Sequence, residues 1–208
     1  MDVGQFCEFN WGNGFETFKL VKIETMADGN CFFHALVNGF YVPYRTGILN
    51  GNKINKFQIV TGLRSNLAEK LGSPVDPNDP NSQIHYDILS HGNLRSFGES
   101  INEYTLGSMM KRLHGCVPVG MEFNEFISNQ ISKDIYLLDS GHQDVYVIDS
   151  DLDLLYKGRN SVVIMATPGH YELVGLQDEN GISTHFNPNH PFIKFLYERL
   201  RIKTGKND

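Results

Sequence analysis

The sequence predicts an α+β fold, a sandwich in which helices flank a central sheet. Three observations carry this expectation. A strand-like run precedes the first helix, the stretch to about residue 132 is written mostly in helical periods, and branched and aromatic runs concentrate after it. Residues 1–16, with Gly4, Gly12 and Gly14 among aromatics, read as an irregular lead-in docked on the domain. Phe18 to Thr25 reads as a strand. Helical spacing follows, with Phe32, Ala35, Leu36 and Phe40 on one face of a helix that starts near Cys31 and ends before Pro43. Residues 43–54, rich in Gly and Asn, read as a loop. Phe57, Val60, Leu63, Leu67 and Leu71 mark an amphipathic helix over 55–71 that stops at Gly72. Three prolines within 73–80 then break regular structure. This is a surface loop rather than a domain linker, because the candidate site residues fall on both sides of it.

Further helices are expected over 84–91, 101–114 and 122–132. Residues 135–138 and 145–148 read as core strands, rich in branched and aromatic side chains. Residues 161–174 read as two strands joined by the turn Thr167-Pro168-Gly169, with His170 opening the second. Residues 182–186 add an edge, and 191–202 a closing helix with Pro191 at its start. One domain over 1–208 accommodates all of this, with a core at about 17–177, the lead-in before it and a C-terminal extension over 178–208.

The chain is organised around Asp28-Gly29-Asn30-Cys31-Phe32-Phe33-His34-Ala35. A tight turn between strand and helix sets Cys31 at the first helical turn, where backbone N–H groups and the positive end of the helix dipole face its sulfur. Helix starts favour thiolate over thiol, and the thiolate is the nucleophile. His170 is the candidate base. Side chains two apart on a strand share a face, so Glu172 is the candidate carboxylate that orients the imidazole and fixes its tautomer. His34, close to Cys31, reads as a structural or substrate-lining group rather than a second base.

The motif Asp28-Gly29-Asn30-Cys31-Phe32-Phe33-His34-Ala35, with the late Gly169-His170-Tyr171-Glu172-Leu173-Val174, resembles the ovarian-tumour (OTU) cysteine proteases. By order and separation the resemblance extends over roughly residues 19–176. It implies a papain-like OTU fold with a central, mostly antiparallel sheet. It also implies a thiol-dependent deubiquitinase that cuts (iso)peptide bonds after the C-terminal glycine of ubiquitin or a ubiquitin-like protein. Polyubiquitin chains are then the partners. Members usually carry Asp or Asn two residues after the histidine, where this chain has Glu172. In the family the aspartate matching Asp28 is the triad acid in some members and shapes the oxyanion site in others. Either Glu172 or Asp28 therefore serves as the acid here, with strand geometry assigning the orienter's place to Glu172. Backbone N–H groups of Cys31 and of the turn through Gly29 and Asn30 are expected to hold the oxyanion. Gly29 is expected to leave room for a Gly-Gly tail, and Phe32 and Tyr171 to wall its channel.

Other features bound the alternatives. A net charge of −6 argues against a nucleic-acid binder. No apolar run reaches the roughly 20 residues of a membrane span, and the start Met1-Asp2-Val3 lacks a signal-peptide plan. Three cysteines without close pairing favour free thiols in a reducing compartment, which fits a cytoplasmic location. A monomer is expected, independently of the cysteines. Cys7 and Cys116 read as packed or merely tolerated residues rather than chemical ones. Asp149-Ser150-Asp151-Leu152-Asp153 opens like a calcium loop but lacks the Gly and Glu that complete one, and reads as a solvated acidic turn. The histidines show no zinc spacing and no phosphate loop is present, so neither metal nor cofactor is expected. Two other functions stay open: a catalytically silent ubiquitin-binding module, and a thiol hydrolase acting on unrelated peptides or esters.

Overall fold

Strand β1 (Phe6–Phe9) lies within the lead-in that the sequence presents as irregular, and pairs antiparallel with β2 (Leu20–Ile23). Four residues are too few to display a period, but their backbone groups complete the edge of the sheet. The computed structural model describes residues 4–206, with 99–102 described by backbone alone. The expectations for Met1 to Val3, for the last two residues and for the side chain of Ile101 lie outside it.

Helix α1 (Cys31–Phe40) has the predicted limits. The segment expected as a loop holds instead a short helix, α2 (Val42–Thr46), and a hairpin of β3 (Ile48–Leu49) with β4 (Asn52–Lys53). Pro43 in the first turn and left-handed Gly47 at the end delimit α2. Asn50 and Gly51, both at positive φ (52° and 80°), make the two-residue turn that matches strand twist. Helix α3 (Lys56–Leu71) is capped by Asn55, whose side chain accepts from the Phe57 N–H at 2.9 Å. Helix α4 (His85–His91) follows the proline loop. A 3-10 stretch, Asn93–Glu103, occupies the start of the helix expected over 101–114; α5 (Leu106–His114) begins only after Thr105, which caps it.

Helix α6 (Asn124–Ile131) leads into β5 (Asp134–Asp139) and the brief β6 (Asp144–Val145), which is shorter than expected. Helix α7 (Leu152–Leu155) precedes the hairpin of β7 (Ser161–Thr167) with β8 (His170–Asp178). β9 (Gly181–Ser183) and α8 (Pro191–Lys203) end the described chain. The sheet runs β1-β2-β8-β7-β5-β6, with β9 beside β8; β5 with β7 is the one parallel pair among the described residues. The fold is thus the expected α+β sandwich with a mostly antiparallel sheet. Asp149 departs from the solvated turn expected of it: it is buried and its carboxylate accepts from the Ser96 hydroxyl.

Helix α1 lies directly on the sheet. A Cβ on Gly39 would come within 2.6 Å of Val162 on β7 and 3.4 Å of Leu173 on β8, so the missing side chain is what lets helix and sheet approach. Arg45 of α2 donates to the Asn38 and Gly39 carbonyls, and the Thr184 hydroxyl donates to Gly39 O at 2.8 Å. These bonds satisfy carbonyls that a helix end leaves open. On the other side of the core, Phe15 stacks edge-on against Phe195 of α8 at 4.9 Å, and Phe18 meets Phe192 at 5.0 Å. No described helix is long and apolar enough to cross a membrane.

Candidate active site

Cys31 is the first residue of α1 and is buried; His170 is the first residue of β8 and is half-buried. They line one cleft of about 440 Å³, together with Tyr171, Pro118, Met121, Tyr146 and the turn from Thr167 to Gly169. The two residues singled out from distant parts of the sequence therefore border the same cleft. Asn30 ends the turn but does not cap the helix with its side chain. The first N–H groups of α1, that of Cys31 among them, lie beyond the helix's own ladder, and a helix start is where negative charge is best accommodated.

The turn before Cys31 is held from several directions. Asp28 accepts from the Asn30 backbone N–H at 3.0 Å and, through its other oxygen, from His34 Nε2 at 3.1 Å. A carboxylate only accepts, so His34 Nε2 carries a proton. The other ring nitrogen of His34 lies 2.8 Å from the Tyr44 hydroxyl. Partial burial acts to raise the Asp28 pKa, but the bonds from His34 and Asn30 outweigh it and hold the carboxyl below its usual value. Burial, with Asp28 nearby, pushes the Tyr44 phenol up to about 12. His34 is therefore structural: it is fully buried and spent on Asp28 and Tyr44.

Several expectations are corrected here. The Asn30 N–H is bonded to Asp28, so it is not available to an oxyanion. The missing side chain of Gly29 leaves room for the chain itself rather than for a substrate tail. A Cβ there would lie 2.3 Å from the Cys116 carbonyl oxygen, and φ of 80° favours glycine. Phe32 is buried and meets Tyr171 edge-on at 5.3 Å, so it supports the cleft wall from behind while Tyr171 forms it. The Tyr171 phenol is pushed well up by burial, with Glu122 and Cys31 adding to the effect. Cys7 and Cys116 are exposed, which fits tolerated positions rather than packed ones.

Glu172 does share a face with His170, as strand alternation requires, but its carboxylate is engaged elsewhere. Lys22 Nζ lies 3.2 and 3.4 Å from its two oxygens, and this contact raises the Lys22 pKa. What touches the imidazole is Thr25, whose Oγ1 lies 3.2 Å from His170 Nε2. Thr25 was not a candidate from the sequence. The pairing of β2 with β8, which sets Ile23 across from Leu173, is what brings it there.

Arg64 is the second residue that sequence reasoning passed over. Buried on α3, its guanidinium donates to Gly29 O, to Asn30 Oδ1 at 2.6 Å, and to the carbonyls of Arg112, Leu113 and Val117. It thereby ties the nucleophile turn to the segment that carries Pro118 into the cleft. A signal was present: Arg64 occupies the same helical stripe as Val60, Leu67, Ala68 and Leu71, where an apolar residue would be expected. No group of three or more His, Cys, Asp or Glu placed to hold a metal occurs among the described residues.

No family model matches the sequence, and no curated protein does. Solved structures do match. One, described as an ovarian tumor (OTU) domain in complex with ubiquitin, is similar over 92% of this chain and 88% of its own, with a TM-score of 0.53 at 16% identity. The chain has an OTU fold. A Hazara virus OTU bound to ubiquitin is also similar, over 76% of this chain and 82% of its own, with a TM-score of 0.37 at 18% identity. In the OTU fold found here, the cleft runs between the start of the helix that bears Cys31 and the end of the sheet that bears His170.

Proposed function

We propose that this chain is a cysteine isopeptidase that hydrolyses bonds after the C-terminal glycine of ubiquitin or a ubiquitin-like protein. The observation that carries the reading is the shared cleft of Cys31, at a helix start, and His170. The OTU domain whose fold this chain shares was solved with ubiquitin, which supports the substrate class. In the proposed reaction His170 takes the proton of Cys31, and sulfur adds to the glycine carbonyl. The Cys31 N–H at the helix start donates to the oxyanion. The imidazolium then protonates the departing amine, and water releases the acyl group from sulfur. A free thiol nucleophile needs a reducing compartment, so we place the activity in the cytoplasm.

The test is a panel of di-ubiquitins and ubiquitin-like conjugates offered to the wild type, Cys31→Ala and His170→Ala. The wild type is expected to cleave at least one substrate, Cys31→Ala none, and His170→Ala to lose roughly 10²–10⁴-fold in kcat. One observation favours a second reading. Glu172 is bound to Lys22, and no carboxylate among the described residues is hydrogen-bonded to the His170 ring, as befits a silent ubiquitin-binding module. A folded wild type that holds ubiquitin as tightly as Cys31→Ala and cleaves nothing would establish that reading and overturn the enzymatic one.

A further inference from the structure

We infer, given the Cys31–His170 chemistry proposed above, that Thr25 is the positioning residue of the catalytic imidazole and stands where an acid was expected. A hydroxyl has one proton to give. Thr25 Oγ1 lies 2.5 Å from the Tyr171 carbonyl oxygen, which can only accept, so the proton goes there. The same oxygen faces His170 Nε2 at 3.2 Å with a lone pair, and the ring nitrogen must then donate. This fixes the Nε2–H tautomer. In the neutral ring the remaining lone pair sits on Nδ1, the nitrogen left for the thiol. Thr25 makes the choice because its oxygen is already committed as a donor elsewhere.

Its position is determined by the sheet. The register Ile23 to Leu173, carried two residues past β2, sets Thr25 beside Tyr171, so its hydroxyl extends the strand pairing with a side-chain bond. A β-branched side chain has little freedom about its first torsion, which holds the oxygen in place. Glu172 cannot compete. It is 7% exposed and is held by Lys22, whose Nζ is within 3.4 Å of both carboxylate oxygens.

The experiment combines a substrate-free readout with kinetics. Long-range ¹H–¹⁵N NMR of the His170 ring, at a pH where it is neutral, is expected to show the Nε2–H tautomer in the wild type. A mixture is expected in Thr25→Val. With ubiquitin substrates, Thr25→Val should lower kcat by roughly ten- to a hundred-fold with KM nearly unchanged, the loss typical of an orienting group. Thr25→Ser should recover most of it, and Glu172→Gln should leave kcat near that of the wild type. An Nδ1–H tautomer in the wild-type protein would overturn the assignment whatever the variants do. So would a Glu172→Gln loss equal to that of Thr25→Val, or a Thr25→Val enzyme with unaltered kcat. The NMR measurement needs no ubiquitin, so a chain inert toward ubiquitin would sink the proposed function while leaving the role of Thr25 to be decided on its own.

Discussion

Arg64 brings a guanidinium into the core, where it donates to acceptors of the turn before Cys31 and of the segment 112–117. Burial lowers its pKa, yet a guanidinium stays charged and its planar fork serves several acceptors at once. Replacing it by leucine would strand Gly29 O, Asn30 Oδ1 and the carbonyls of Arg112, Leu113 and Val117. Arg64→Leu is therefore expected to cost about 3 kcal/mol or more, read as a drop in the urea midpoint, and to slow Cys31 chemistry in whatever fraction folds. Asp28 gives a prediction in pH. Its folded pKa lies below the unfolded value near 3.9, so its contribution to stability is fully present above that value and is lost as pH falls through the folded pKa. Urea midpoints of wild type and Asp28→Asn should differ at pH 7 and converge as the pH drops below about 4. A gap that persists unchanged into acid would show that the carboxylate is not held by His34 and Asn30.

At the scale of elements, the approach of α1 to the sheet is what carries Cys31 to the cleft. Alanine in place of a helical glycine ordinarily gains about 1 kcal/mol. At Gly39 the sign is expected to reverse. The new Cβ would press on Val162 at 2.6 Å, and overpacking of this kind costs about 1–3 kcal/mol. A thermal midpoint that rises in Gly39→Ala would contradict the close packing described. Which elements the sequence revealed follows from how local their signals are. Helix α1, the β7–β8 hairpin and α8 each announce themselves by period, turn residues or Pro191; α1 and α8 keep the expected limits closely, while β8 runs four residues past Val174. The hairpin of β3 and β4 was legible in Asn50-Gly51 but was absorbed into a Gly- and Asn-rich segment read as loop. β1 offered no local signal, since its pairing with β2 across the lead-in is what makes it a strand.

Across the whole molecule, the cleft forms where the helical layer and the sheet meet. Phe9, Trp11 and Phe15 run in ring contact from the N-terminal segment to Phe195, so that segment packs against α8. That Cys31 and His170 belong to one cleft was legible because each sits in a distinctive short motif. The partner of His170 was not, because choosing Thr25 over Glu172 requires the register of strands 145 residues apart and the knowledge that Lys22 claims the carboxylate. The most direct measurement of the central claim is peptide mapping after exposure to ubiquitin bearing a thiol-reactive C-terminus. Cys7 and Cys116, both exposed, serve as internal controls beside the buried Cys31. The prediction is a single ubiquitin adduct on Cys31, absent in Cys31→Ala and slowed in His170→Ala. An unmodified Cys31, or labelling that follows exposure and falls on Cys7 and Cys116, would contradict it.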